Sequence, residues 1–284
     1  MNFEAEVLLA AFTDLRAVQP IAIVRASGRR NGRGTHDVNA LTLQESTGQA
    51  EFVAAAPVSL LDHSTLVRAE YPAFGRTAFD ELLNAVTHGF GLMLALAGTY
   101  LMLGRLNGSQ NPWLVAGCGM YLVSLLGVYS MSTLSHGATA VRWKTTFRQL
   151  DQGFIYLLIV GTFTPYSLAY LQRPIWLALL CGMWSIAFIA FIAKVFFGHR
   201  VDSVSVASCI LFGWIPIVAV PTLMHESPAG AFNMIISGGV CYTVGTLFLI
   251  NDERVKHFHA LWHICVIGGS TCHFWGIFNY VLAG

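Results

Sequence analysis

Residues 112–135 read PWLVAGCGMYLVSLLGVYSMSTLS, and no charged side chain interrupts them. Wound as an α-helix at about 1.5 Å per residue, the stretch is about 36 Å long, enough to cross about 30 Å of hydrocarbon. Polar and apolar residues do not alternate at a period of two, so a barrel strand is excluded. The stretch predicts a transmembrane helix, and it sets the scale for reading the rest of the chain.

Working outward, similar apolar stretches recur between short polar breaks at Asn107-Gly108, Asn111-Pro112, Arg173-Pro174, Ser227-Pro228 and Asn251-Asp252. They place spans at about 82–103, 112–135, 153–171, 175–197, 203–223, 232–250 and 260–282. The expected fold is an all-α membrane protein, a seven-transmembrane helix bundle. Composition agrees. Of 284 residues, 55% are hydrophobic and only 11% charged, with a mean hydropathy of +0.60. A soluble domain carries about 25% charge, so lipid must serve as solvent for most of this chain. The net charge is +1, and no basic patch carries interleaved aromatics, so no nucleic-acid partner is expected. Six cysteines lie inside apolar stretches without a CxxC pair. They read as small buried hydrophobes rather than a zinc ribbon or a disulfide framework.

Residues 1–74 differ in character. The stretch RASGRRNGR from Arg25 to Arg33 is rich in Gly and Arg, as flexible linkers are. The apolar runs beside it are too short to span a bilayer. The run Val7 to Phe12 is short and flanked by Glu4, Glu6 and Asp14, which argues against a cleavable signal peptide. Residues 1–74 are therefore expected to form a soluble, largely disordered extension, and residues 75–284 the membrane domain. The arginines of the extension either touch anionic lipid or belong to a plain solvated tail.

Lys and Arg set the expected orientation. Arg142, Lys144, Arg148, Lys194, Arg200, Arg254 and Lys256 fall on one side, and Arg105 and Arg173 on the other. The N-terminus is then cytoplasmic and the C-terminus external, in a plasma or inner membrane.

Ionisable groups at membrane depth are costly and need a reason. Between Glu81 and Asp202 the sole acidic residue is Asp151, at the start of the third span. His136 ends the second span, and His259 and His263 begin the seventh. The orientation puts all four at one membrane level. Residues i and i+4 project from one helical face about 6 Å apart along the axis, so His259 and His263 offer two nitrogens to one ion. Three imidazoles with an open fourth position suit a catalytic zinc. The plainer alternative is three separate interfacial histidines. Ser132, one turn before His136, either bonds a substrate or zinc-bound oxygen or returns its hydroxyl to its own helix. Asp151 is a general base, a zinc ligand through water, a partner orienting a ligand histidine, or a simple helix N-cap. His88, with Asn84 and Glu81 one and two turns earlier, forms a polar stripe able to close the site from the first span. His273 lies about 21 Å along the axis from His259, too far to share its ion. His257 is off the ligand face, and His36, His63, His199 and His225 read as loop residues.

The sequence also carries Glu81-x2-Asn84-x2-Thr87-His88-Gly89, Ser132-Thr-Leu-Ser-His136, Asp151-Gln-Gly-Phe with Gly161-Thr-Phe-Thr164-Pro165, and His259-Ala-Leu-Trp-His263 with His273-Phe. In this order the motifs resemble the hemolysin III branch of the progestin and adipoQ receptor family, which includes the adiponectin receptors, over residues 75–284. The resemblance implies a seven-helix bundle with zinc held by His136, His259 and His263, the family's serine at Ser132 and its aspartate at Asp151. It also implies a ceramide-like lipid as substrate or ligand. Three functions follow as expectations: a zinc-dependent hydrolase of lipid amides or esters, a lipid sensor or receptor with structural zinc, and a pore-forming cytolysin.

The orientation is testable by reporter fusion. Fusions after Arg148 and Lys256 are expected to read cytoplasmic, and fusions after Arg105 and at Gly284 external. An external reading after Arg148 reverses the map.

Overall fold

The computed structural model describes residues 77–197 and 206–282. The extension assigned to residues 1–74, together with His36, His63, His199 and Arg200, lies outside the described residues. Among the described residues every regular element is helical. In chain order they are α1 (Ala78–Leu106), α2 (Pro112–Gly137), α3 (Val141–Tyr170), α4 (Pro174–Phe197), α5 (Val206–Gly213), a 3-10 turn (Ile215–Ala219), α6 (Val220–Glu226), α7 (Ala229–Ile250), α8 (Phe258–Gly276) and a π turn (Ile277–Val281).

Local chemistry explains the ends. Thr77 and Asp80 form a capping box at the start of α1, each side chain accepting from the other's backbone N–H, which satisfies two otherwise orphan donors. Asn111 caps α2 by accepting from the N–H groups of Trp113 and Leu114, and Pro112 occupies the first turn, where no N–H is needed. The span expected at 203–223 is not one unbroken helix. Pro216 and Pro221 divide it into α5, the 3-10 turn and α6, because proline removes a backbone donor and crowds the preceding turn.

α3 corrects the sequence reading in another way. It starts at Val141, well before the span expected from residue 153, and Ala140 precedes it without a side-chain cap. Apolarity marks where lipid begins and not where the helix begins. Asp151 is thus inside α3 and is no N-cap.

Six segments are long and apolar enough to cross a membrane: Ala78–Leu106, Pro112–Gly137, Val141–Tyr170, Pro174–Phe197, Val206–Glu226 and Ala229–Ile250. α8, expected as a seventh span, is not among them. It carries His259, His263 and His273 together with Gly268, Gly269, Ser270 and Thr271, which lower its hydropathy.

The outer face of the bundle is apolar, and the polar side chains that the spans carry turn inward. On α1, Phe79, Leu82, Val86, Phe90 and Met93 face outward, while Asn84, His88, Gly91, Ala95 and Gly98 are buried. α1 packs on α2, α2 on α3 and α3 on α4; α7 packs on α8, and α8 returns to α1. α3 is the most buried of the six spans. Small residues let backbones approach where hydrophobic attraction between helices is lost to lipid. A Cβ on Gly161 of α3 would meet the Ser124 hydroxyl and, at 3.4 Å, the backbone oxygen of Met120 on α2.

Gly161→Val is therefore expected to push α2 from α3 and cost about 1–3 kcal/mol, the usual scale of overpacking. Gly119→Val, where an added Cβ meets nothing within 4 Å, is expected to be near neutral. Thermal unfolding in detergent compares the two; equal Tm values would contradict this packing.

Candidate metal centre

Two helices, α2 and α8, deliver three imidazoles to one point. α2 ends in a turn bearing Ser132 and His136. α8 begins directly after His257, whose left-handed backbone (φ 66°) turns the chain into the helix. The His257 Nδ1 lies 3.1 Å from Asp80 Oδ1, tying that turn to the start of α1. His259 and His263 then point toward His136. Ring centroids are 4.5 Å apart for His259–His263, 5.1 Å for His136–His259 and 5.2 Å for His136–His263. One potential ligand atom from each of the three lies within 4.8 Å of the other two. The co-location expected from topology is realised.

The outer edge of each ring has a specific acceptor. His136 Nδ1 is 2.9 Å from Glu81 Oε2, and His259 Nδ1 is 2.7 Å from Asp252 Oδ2. His263 Nδ1 is 3.0 Å from Thr87 Oγ1, whose own hydroxyl donates to the Leu83 and Asn84 carbonyls. Ionised carboxylates only accept, and a hydroxyl whose proton is committed accepts as well. All three rings are therefore assigned the tautomer with the proton on Nδ1, which makes Nε2 the nitrogen presented to a metal. Such outer acceptors orient ligand histidines in metal sites generally and raise their basicity. The donor set fits a borderline-soft divalent ion such as zinc better than magnesium or calcium, which favour oxygen. No fourth protein ligand joins the three among the described residues.

Glu81 does double duty, because Lys144 Nζ lies 2.8 Å from the same Oε2. That pair ties α1 to the first turn of α3 beside the site. The polar stripe expected on α1 is present, with its members in separate roles. Glu81 holds the His136 ring, and Thr87, which the stripe did not include, holds that of His263. His88 stacks on His263 with centroids 3.6 Å apart, and both its ring nitrogens are buried without a hydrogen-bond partner. Asn84 Nδ2 is buried without one as well.

Ser132 and Asp151 come together here from α2 and α3. The Ser132 hydroxyl faces the Asp151 carboxyl, and no other partner meets Ser132 Oγ. It does not return its proton to its own helix, so that reading of Ser132 is overturned. Nor does Asp151 orient a ligand histidine; Glu81, Asp252 and Thr87 take those places. Sequence reasoning saw Asp252 only as a chain break. The signal available was its place seven residues before His259, in the connection that leads to a histidine needing an acceptor.

The histidines open onto a cavity of about 500 Å³. His88, Ser132 and Asp151 line it at the histidine end, and it continues past Ile159, Phe163 and Leu223 to Tyr242 and His273. A largely apolar chamber with convergent polar groups at one end is the form of a site for an elongated amphiphile. His225, expected in a loop, ends α6 and is exposed.

The family described as Haemolysin-III related matches residues 76–274. Hemolysin-3 of Bacillus cereus is 34% identical over 203 residues, 72% of this chain and 92% of that protein. The hemolysin-3 homolog of Bacillus subtilis (strain 168) is 32% identical over 204 residues, 72% of this chain and 95% of that one. The human monocyte to macrophage differentiation factor is 24% identical over 221 residues, 74% of this chain and 89% of its own length.

The acceptor shell makes a quantitative prediction. Glu81→Gln and Asp252→Asn are each expected to weaken binding of a divalent metal, assayed with zinc, about 10–100-fold, the usual cost of losing such a partner. Competition against a fluorescent chelator on the detergent-purified protein measures this. Unchanged affinity in both variants would contradict the assigned orientation of the rings.

Proposed function

We propose that this chain, which belongs to the haemolysin-III-related family, is a seven-span membrane hydrolase that uses zinc to cleave a lipid amide or ester of the ceramide type. α8 is the seventh span. The N-terminus lies in the cytoplasm, which puts the histidine site near the inner face. One observation carries the reading: the three histidines converge at one end of the cavity, and that same end holds Asp151 and the unpartnered Ser132 hydroxyl.

The chain's residues divide the work. His136, His259 and His263 would hold the ion, with Glu81, Asp252 and Thr87 fixing their rings. A bound zinc ion supplies Lewis acidity, polarising a carbonyl and activating water. Asp151 accepts the proton lost by water and returns it to the leaving amine or alcohol. Ser132 directs its hydroxyl at the oxygen that gains negative charge. The apolar wall from Ile159 to Leu223 holds the acyl chain, excludes water from the bond to be cut, and fixes the carbonyl at the histidine end.

The receptor alternative needs a closed metal site. A ligand group of three histidines without Asp151 leaves room for an exchangeable fourth ligand and supports the hydrolase. The pore alternative draws on the name of the Bacillus relatives. Its requirement is a polar path across the membrane, whereas the strongly polar lining residues, Glu81, Ser132, His136 and Asp151 among them, gather at the histidine end.

Asp151→Asn is expected to keep zinc and to cut turnover of a lipid amide about 100-fold or more, the scale of a lost general base. Ser132→Ala should cost less, and His136→Ala should abolish metal and activity together. Metal analysis and single-turnover assays on a ceramide panel decide it. Loss of zinc in Asp151→Asn makes Asp151 a ligand and favours the receptor. A wild type that hydrolyses nothing on the panel ends the enzyme reading.

A further inference from the structure

Farther along the cavity, toward the bilayer centre, stands a polar group that the metal chemistry does not use. His273 lies ten residues after His263 on the same unbroken helix, α8, which is about 15 Å along the axis. Its side chain is 7% exposed, it lines the cavity, and Nδ1 has no hydrogen-bond partner. A buried polar atom without a partner at this depth is costly and asks for an explanation.

The neighbours of His273 do not supply the missing bond. The Tyr242 ring stacks on it with centroids 5.6 Å apart and planes 21° apart, which fixes the imidazole without bonding it. The Tyr242 and Tyr129 hydroxyls both meet Ser270 Oγ at 3.0 Å. Tyr166 donates to the His273 backbone carbonyl at 3.0 Å and not to its ring. Thr162 and Thr243, on the cavity wall, donate to the carbonyls of Leu158 and Gly239 on their own helices. Across the ring, the Nε2 edge packs against Gly238, where a Cβ would collide with it. The imidazole is thus held in place by aromatic and backbone contacts, with its hydrogen-bonding capacity in reserve.

From this geometry we infer that His273 is a second anchor for the cavity's ligand, and that the ligand is a long-chain lipid carrying a hydroxyl near the middle of its chain. The distance selects mid-chain: with the headgroup at the three histidines, a chain extended along α8 passes His273 about 15 Å on. The chemistry selects a hydroxyl. A neutral imidazole presents one donor and one acceptor, and a hydroxyl can answer whichever nitrogen faces it. A plain methylene chain at this position leaves Nδ1 unpaired, so the site discriminates by penalty as well as by attraction. The inference rests on the cavity being a lipid site, as the proposed function has it, but not on hydrolysis.

The test is a comparison of two fatty acids that differ by one mid-chain hydroxyl, ricinoleate and oleate, displacing a fluorescent fatty acid from the full-length zinc-loaded protein in phosphatidylcholine nanodiscs. Wild type is expected to prefer ricinoleate by about three- to tenfold, the worth of one hydrogen bond. His273→Phe, which keeps a ring over Tyr242 and removes the unpaired nitrogen, is expected to bind oleate more tightly than wild type does and to lose the preference. His273→Gln should retain part of it. Equal affinities in wild type overturn the inference without any variant, and so does a preference that survives in His273→Phe. Hydrolysis of lipid amides without a hydroxyl preference sinks this inference and leaves the hydrolase reading standing. A preference in a protein that hydrolyses nothing does the reverse.

Discussion

Inside hydrocarbon a polar group must find a partner within the protein, because water is not there to serve. This requirement governs the inner surface of the bundle. Glu81 answers both His136 and Lys144, Asp252 answers His259, and Thr87 answers His263. The partners come from α1 and from the connection between α7 and α8, while the rings come from α2 and α8. Holding the three imidazoles and joining the helices at this end are thus one set of contacts. Helix packing elsewhere adds tyrosine hydroxyl bonds, such as those of Tyr129 and Tyr242 to Ser270, to close contacts at small residues. Gly161 against Ser124 and Gly269 against Tyr242 are examples.

The same rule identifies where the bundle is unfinished. Among the described residues, the buried side-chain atoms without partners include Asn84 Nδ2, both nitrogens of His88, Ser132 Oγ and His273 Nδ1. The first four surround the histidines, and the fifth lies deeper in the same cavity. Unsatisfied groups scattered at random would suggest poor packing. Trp176 Nε1, also unpartnered, lies away from the chamber, but His88, Ser132 and His273 all line it, and unsatisfied groups that share one chamber fit a bound molecule with polar features at matching positions.

Much of this was legible in the sequence, and the reason is the strength of the membrane constraint. Residues 112–135 could be placed across a bilayer by length and charge alone, and parity of crossings then brought His136, His259 and His263 to one level. Three things were not legible. The start of α3 at Val141 was hidden because hydropathy reports lipid contact and is blind to helix that continues into the interface; with it went the status of Asp151, which is no cap. The division of 203–223 by Pro216 and Pro221 was visible residue by residue, but the apolar run masked it. The role of Asp252 depends on the left-handed turn at His257, a tertiary feature that periodicity does not encode. α8 shows the converse. Its histidines and glycines, which drew attention to it in the sequence, are what make it less apolar than the six long spans.

In the proposed site, three neutral imidazoles, oriented by Glu81, Asp252 and Thr87, would hold one zinc ion with a position left for an oxygen. X-ray absorption at the zinc edge on the detergent-purified full-length chain tests this most directly. The account predicts about three histidine nitrogens at about 2.0–2.1 Å and one lighter oxygen contribution, with no sulfur, as expected for an open tri-histidine site. A zinc shell containing cysteine sulfur, or protein that carries no zinc when purified without chelator, would contradict it.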